Sequence, residues 1–183
     1  AREDIKAFLE LHIEQGTVLE SQSLDIGVVN AIAGITRIEI IIEGRADHAG
    51  TTPMNLRQDA LTTAAWITLG VEELAKALAA GEEHFAATVG EFEMTPNAAN
   101  VVPSRVRMLI DARAEIRPDM DRFIEELDQG VAAIAEKTGV TVHAPRIISD
   151  NHPTPCDALL REVLDVAAEG LGARHRRMAS GAG

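Results

Sequence analysis

The segment Ile-Thr-Arg-Ile-Glu-Ile-Ile-Ile-Glu-Gly at residues 35–44 decides the fold class of the chain. Within it, Ile38, Ile40 and Ile42 alternate with Arg37, Glu39 and Glu43, and Ile41 is the one exception to this alternation. A period of two with β-branched residues is typical of a strand that is buried on one face only. Gly44 ends the pattern. The segment therefore predicts a sheet with one covered face and one open face.

On the C-terminal side of this strand the hydrophobic spacing alternates between helix and strand periods. One helix is predicted to begin after Asn55, which can cap it, and to end near Ala80; a second begins at Pro118 and ends before Gly139. Three further strands are predicted over residues 86–93, 105–113 and 140–148. The order β-α-β-β-α-β predicts an α+β unit of the ferredoxin-like type, with two helices on one face of a four-stranded antiparallel sheet.

Segments on both sides flank this unit. Residues 149–155 contain two prolines and predict a linker, and residues 157–171 predict a third helix. The simplest organisation is an inserted domain over residues 28–148, with two pieces of a second domain at residues 1–27 and 149–183.

Composition and charge exclude several function classes. The chain has 183 residues, with 17 Lys and Arg against 29 Asp and Glu and a net charge of -12. This balance argues against binding to nucleic acid or to an anionic membrane surface. The single cysteine cannot form an internal disulfide, which favours a reducing, cytoplasmic location.

Four polar residues are candidates for chemistry, and each also has an ordinary structural explanation. His12 could ligate zinc or lie beside a turn. His48, next to Gly50, could donate to an oxyanion or pack in its loop. Asn100 could serve turn geometry. Arg113 could bind a carboxylate or form an exposed ion pair with nearby Asp111.

Six phrases, taken together and in order, resemble a known family. They are residues 11–16 (Leu-His-Ile-Glu-Gln-Gly), 26–29 (Ile-Gly-Val-Val), 48–54 (His-Ala-Gly-Thr-Thr-Pro-Met), 100–103 (Asn-Val-Val-Pro), 111–113 (Asp-Ala-Arg) and 180–183 (Ser-Gly-Ala-Gly). The series resembles the hydantoinase/carbamoylase branch of the M20 metallo-hydrolases, which includes N-carbamoyl-L-amino-acid hydrolases, β-ureidopropionase and allantoate amidohydrolase.

The resemblance implies a catalytic domain interrupted by a ferredoxin-like lid domain that forms a homodimer. It implies that His48 and Asn100 stabilise the oxyanion, with His48 serving the partner's site, and that Arg113 binds the substrate carboxylate. It also implies that Gln15 points into the site and that Gly183 lies near that carboxylate. The expected reaction is cleavage of a ureido C–N bond in an N-carbamoyl-L-amino acid or a related small ureido acid.

The resemblance also implies two divalent metal ions, zinc or alternatively manganese, cobalt or nickel. His12 matches one ligand position, while the other ligands and the general base lie outside this chain. Because zinc sites use three or four protein ligands, we expect the chain alone neither to hold the metals tightly nor to catalyse.

Three alternatives stay open at this point. Allantoate is the closest alternative substrate, and residues 30–34 (Asn-Ala-Ile-Ala-Gly) would suit it. Another M20 activity, an aminopeptidase or deacylase, is the second alternative. The third, for the isolated chain, is a non-catalytic dimerisation module.

Overall fold

The computed structural model describes residues 4–181. Within this part of the chain four α-helices are formed. They are α1 (Val18–Ser21), α2 (Ala60–Ala79), α3 (Arg117–Thr138) and α4 (Ala158–Gly170). The eight strands in the same residues are β1 (Ile26–Ile32), β2 (Gly34–Glu43), β3 (Phe85–Thr95), β4 (Arg105–Ala114), β5 (Thr141–Val142), β6 (Arg146–Asn151), β7 (Thr154–Pro155) and β8 (His175–Ser180).

The strands form two sheets. The larger has the order β3-β4-β2-β5, with β6 pairing further along β2, and all its neighbours are antiparallel. Helices α2 and α3 pack on one of its faces. This is the ferredoxin-like arrangement that the sequence predicts, and the prediction is confirmed. We call these elements, from β2 to β6, the lid.

The smaller sheet has the order β7-β1-β8 and joins distant parts of the chain. Strand β1 is antiparallel to β7 and parallel to β8, and α4 packs beside it. The chain crosses between the two sheets at Gly34, where a side chain would overlap Asn151 and Pro153. The proposed division into residues 1–27, 28–148 and 149–183 stays a prediction.

The core of the lid lies between its helices and the inner face of its sheet. Strand β4 shows the pattern most clearly, because Val106, Met108 and Ile110 are buried while the residues between them lie on the other face. That second face, the outer face, carries charged side chains. Glu39 is buried there because Arg107 and Arg146 both donate to its carboxylate, at 2.8 and 2.7 Å.

The structure corrects three local predictions. Asp59, not Asn55, caps α2, since its carboxylate accepts from the amides of the first helical turn, and Asn55 lies in a short 3₁₀ turn. The strand predicted over residues 140–148 is two strands, β5 and β6, and Pro145 lies between them. Strand β8 was not predicted, because residues 175–180 show no apolar alternation.

No helix among residues 4–181 combines the length and the apolar character needed to cross a membrane. The cytoplasmic location and the exclusion of nucleic acid stay predictions from composition.

Gly44 connects β2 to the loop that precedes α2, and it is packed against backbone. A Cβ atom at this position would overlap the carbonyl oxygen of Gln58 and approach the Ala60 nitrogen. We therefore expect Gly44→Ala to lower the free energy of unfolding by about 1–3 kcal/mol. Urea unfolding followed by the fluorescence of Trp66, the single tryptophan, measures this.

Gly70 provides the matched control. It lies inside α2, and a Cβ atom there would meet no atom within 4 Å. Since alanine is the better helix former, Gly70→Ala should raise the free energy of unfolding by up to about 1 kcal/mol. Equal changes for the two variants would contradict the explanation.

Candidate functional site

Two neighbouring loops bring His48 and Asn100 together. These loops, residues 45–52 and 97–103, are called the loop pair below. The Ala49 amide donates to the Asn100 carbonyl at 2.9 Å, and the Val102 amide donates to the Asp47 carbonyl at 2.8 Å. His48 itself forms a β-bridge with Val101. The backbones that carry the two candidate donors are therefore hydrogen-bonded to each other.

The hydrogen bonding of His48 assigns its tautomer. The Gly50 amide donates to His48 Nδ1 at 3.1 Å, so in the neutral ring the proton lies on Nε2. The side chain is exposed, and Nε2 is thus available as a donor to a ligand. A Cβ atom at Gly50 would lie 3.2 Å from the ring carbon Cε1, so glycine leaves room for this arrangement.

Arg57 donates hydrogen bonds to two backbone carbonyls of the His48 loop. Its Nε donates to the Thr52 carbonyl at 3.1 Å, and its Nη2 donates to the Ala49 carbonyl. The Asn100 amide group, in contrast, makes no hydrogen bond within residues 4–181 and is exposed. The loop pair therefore carries an imidazole held by one backbone amide and, on the adjoining loop, an exposed side-chain amide with no hydrogen-bond partner in residues 4–181.

Arg113 lies at the opposite end of the lid. It is on the outer face near the end of β4, and its Nη1 donates to the carbonyl of Gly181, just after β8. Its Nε donates to Asp111 at 2.8 Å. This bond, more than any other interaction, lowers the pKa of the Asp111 carboxyl and raises the pKa of Arg113. Arg113 thus links the lid to the smaller sheet.

One protomer does not bring the loop pair and Arg113 together. The loop pair adjoins the Arg105 end of β4, because the Gly44 amide donates to the Ser104 carbonyl there. Arg105 and Arg113 are eight residues apart on an extended strand. At ~3.3 Å per residue they are separated by roughly 26 Å. A ligand the size of an amino acid cannot contact both within one chain.

The acidic residue of the motif at residues 11–16, Glu14, has a structural role. The Glu14 carboxylate accepts from the amides of Val18 and Leu19 at 2.7 and 2.9 Å and so caps α1. A Cβ atom at Gly16 would lie 2.8 Å from that carboxylate. His12 and Gln15 are both exposed on this segment.

His12 is the metal ligand that the family resemblance predicts in this chain. Its Nδ1 lies 2.6 Å from the Ile13 carbonyl, which leaves Nε2 for a ligand bond. No group of three His, Cys, Asp or Glu side chains in residues 4–181 could hold a metal. A single imidazole is too few ligands for a zinc centre, so these residues do not form one by themselves. The predicted site residue Gly183 lies outside the described residues.

His84 lies close to Arg113, although no sequence motif singles it out. It precedes β3, and its carbonyl accepts from the Glu115 amide at 2.9 Å, which brings it beside the Arg113 end of β4. A Cβ atom at Gly181 would be 3.4 Å from His84 Nε2. This proximity depends on the register between β3 and β4, and no pattern in the sequence predicts that register.

A cavity of about 360 Å³ opens next to His84, between the lid and the smaller sheet. Glu83 and Glu115 line it from the lid, and Arg176 lines it from β8. The charge of Glu115 is the main reason why the pKa of Glu83 is raised. The wall that the lid contributes is thus acidic.

Comparison with known proteins gives consistent results. The family described as "Peptidase dimerisation domain" matches residues 30–139. The chain is 36% identical over 180 residues to an N-carbamoyl-L-amino-acid amidohydrolase of Paenarthrobacter aurescens, covering 98% of this chain and 43% of that protein. It is 38% identical over 182 residues to the allantoate amidohydrolase of Escherichia coli K12, covering 100% of this chain and 43% of that protein.

A solved structure shows the same fold. A hydantoinase/carbamoylase family amidase from Burkholderia multivorans superimposes with a TM-score of 0.88 at 35% identity, covering 94% of this chain and 41% of that one. The chain therefore spans less than half the length of the relatives it matches. With the ferredoxin-like lid and the residue 30–139 match, the chain belongs to the M20 peptidase dimerisation family and resembles its hydantoinase/carbamoylase amidases.

Proposed function

We propose that the whole protein is a metal-dependent amidohydrolase that cleaves the ureido C–N bond of N-carbamoyl-L-amino acids or related ureido acids. The observation that carries the proposal is the loop pair, where backbone pairing brings His48, whose Nδ1 accepts from the Gly50 amide and whose Nε2 can donate, to the loop that carries the exposed amide of Asn100. Two such donors suit the oxyanion of a tetrahedral intermediate in acyl transfer. The similarity to ureido-acid amidohydrolases supports this reaction class.

In this proposal Arg113 holds the substrate carboxylate. Its guanidinium is half-buried at the junction of the lid and the smaller sheet, and a planar fork of donors matches a carboxylate. Fixing the carboxylate orients the ureido carbonyl toward the oxyanion donors. Gln15 and Gly183 are proposed to complete the substrate contacts.

A second copy of the chain is needed to complete the site. The loop pair is roughly 26 Å from Arg113 along β4, so we propose a homodimer in which His48 and Asn100 serve the partner's site. The match to a dimerisation domain supports this, and so does the edge position of β3, which within residues 4–181 pairs only with β4. An unpaired edge strand is a ready surface for pairing with another chain.

We propose that two divalent metal ions are bound by His12 together with residues outside this chain. The chain's own contribution to the chemistry is then confined to orienting the substrate and donating to the oxyanion. Zinc, manganese, cobalt and nickel remain the candidate metals.

The proposed reaction is tested with the full-length enzyme and a panel of N-carbamoyl-L-amino acids, allantoate and dipeptides, with ammonia release and peptide cleavage as readouts. Ammonia release from a ureido acid supports the proposal. Cleavage of dipeptides without any ammonia release would overturn it. Allantoate is the second candidate substrate, favoured by the 38% identity to an allantoate amidohydrolase.

Arg113→Ala tests the carboxylate contact. Since a hydrogen bond to a charged group contributes about 1.5–3 kcal/mol, we expect KM for the acid substrate to rise roughly tenfold to a hundredfold, with a smaller change in kcat. Steady-state kinetics measures the two separately. Arg113→Lys should recover only part of the loss, because lysine keeps the charge but not the fork. An unchanged KM would refute the assignment.

A further inference from the structure

The carboxylate of Asp111 lies between two guanidinium groups on the outer face of the lid. Arg113 follows it by two residues on β4 and so projects from the same face. Arg37 is directly opposite Asp111 on β2. Arg113 Nε donates to Oδ1 at 2.8 Å, and Arg37 Nε donates to Oδ2 at 3.3 Å. Asp111 is half-buried in this position.

The contact with Arg113 is made along one side of the guanidinium. Besides the Nε bond, Arg113 Nη2 donates to Asp111 Oδ2 at 3.4 Å. Two bonds between two planar groups fix the plane of the guanidinium as well as its position. An arginine side chain that is not already held loses rotamer freedom when a ligand immobilises it. Asp111 therefore holds Arg113 in one orientation before any ligand arrives.

Counting donors shows what this orientation leaves available. A guanidinium has five N–H bonds. Asp111 accepts two of them and the Gly181 carbonyl accepts one. The other two have no acceptor within residues 4–181, and one belongs to each terminal nitrogen. A guanidinium with one free N–H on each terminal nitrogen can still donate to a second carboxylate.

We propose that Asp111 is a positioning residue that pre-orients Arg113 for the substrate carboxylate. The inference rests on the proposed function of Arg113. Asp111 does not contact the substrate in this arrangement; it acts by fixing the guanidinium plane, so its loss should weaken substrate binding more than it slows the chemical step.

The test compares KM and kcat of the full-length enzyme, Asp111→Asn and Arg113→Ala with an N-carbamoyl-L-amino acid that the wild type hydrolyses. Asparagine has the same shape but lacks the charge and the second acceptor. We expect Asp111→Asn to raise KM about tenfold, since a bond to a charged group is weakened, with kcat within about threefold of wild type. A KM within twofold of wild type would overturn the inference.

Glu39→Gln is the matched control. Glu39 is a carboxylate on the same face, and it accepts from Arg107 Nε at 2.8 Å, but it lies nearer the other end of the strand. Its substitution also breaks an arginine–carboxylate pair, so it reproduces any general effect on the lid. We expect Glu39→Gln to leave KM unchanged. An equal rise in KM for both variants would reduce Asp111 to a structural role and overturn the inference.

Added guanidinium ion gives a second measurement that does not require the single Asp111 variant to be active. In Arg113→Ala, free guanidinium can bind between Asp111 and the substrate carboxylate and restore part of kcat/KM. The same addition to Arg113→Ala/Asp111→Asn should restore none. Equal recovery in both would count against Asp111. If Arg113→Ala itself has wild-type KM, the proposed function of Arg113 fails instead, so the two failures are distinguishable.

Discussion

Replacing His48 by alanine in the full-length enzyme is expected to lower kcat about a hundredfold to a thousandfold, the typical cost of removing one oxyanion donor. The Nε2 proton that the Gly50 amide assigns to this ring would then be missing from the site. KM should change little, because the interaction forms in the transition state. Steady-state kinetics on variants with an unchanged circular dichroism spectrum measures this. A rise in KM without any fall in kcat would contradict the role.

Mixing variants tests whether His48 acts across the dimer. If each site uses Arg113 from one subunit and the loop pair from the other, a mixed dimer of His48→Ala and Arg113→Ala contains one intact site. Random exchange of subunits then makes about a quarter of all sites intact under two-fold symmetry. At a substrate concentration well below the KM of Arg113→Ala, activity above that of either variant alone should therefore appear when the two proteins are unfolded and refolded together. If both residues served their own subunit, no intact site would form.

A mixture of two variants in the loop pair is the control for the subunit-exchange experiment. His48 and Asn100 lie on the same loop pair, so both must serve the same site. A mixture of His48→Ala and Asn100→Ala should therefore recover no more activity than either variant alone. Recovery in this mixture would contradict the arrangement of the loop pair.

Phe123→Ala should lower the free energy of unfolding of the chain by about 3–5 kcal/mol, as is usual for a large aromatic residue removed from a core. Phe123 lies on α3 with 0% of its surface exposed. Its ring centroid is 5.2 Å from that of Phe85, the first residue of β3. The variant loses the contact between α3 and β3. Urea unfolding, followed by Trp66 fluorescence, gives the difference.

Phe92 is the control for that measurement. It lies on β3, the edge strand, and 43% of its surface is exposed. Because little apolar area is removed from the core, Phe92→Ala should cost about 1 kcal/mol or less. A loss of stability similar to that of Phe123→Ala would show that the buried ring is not what stabilises the lid.

Local chemistry explains why some elements could be predicted from the sequence. The alternation along residues 35–44 gave β2, and Pro118 with Gly139 gave α3, which ends with Gly139 in the left-handed conformation at φ +65. These signals act within a few residues, so they can be recognised without knowledge of any distant contact. The cap of α2 was mispredicted because Asn55 and Asp59 are both good capping residues. In the structure α2 begins after Asp59.

Strand β8 could not be predicted because its partner is distant in the sequence. It pairs with β1, and the adjoining Asp25–Arg174 contact joins residues 149 positions apart. The arginines of β8 gave no apolar alternation to recognise. The same holds for His84, whose position beside Gly181 depends on strand register and not on any motif.

The sequence alone determined the lid fold, the family and the residue types available for chemistry, because periodicity, turn residues and motif spacing are local properties. The tertiary structure alone decided which of those residues can act together. It joined His48 to Asn100 through backbone hydrogen bonds, fixed Arg113 against Asp111, and separated the two groups by the length of β4. The physical reason is that strand pairing sets distances between side chains that are far apart in the chain, and this pairing follows from packing of the whole molecule.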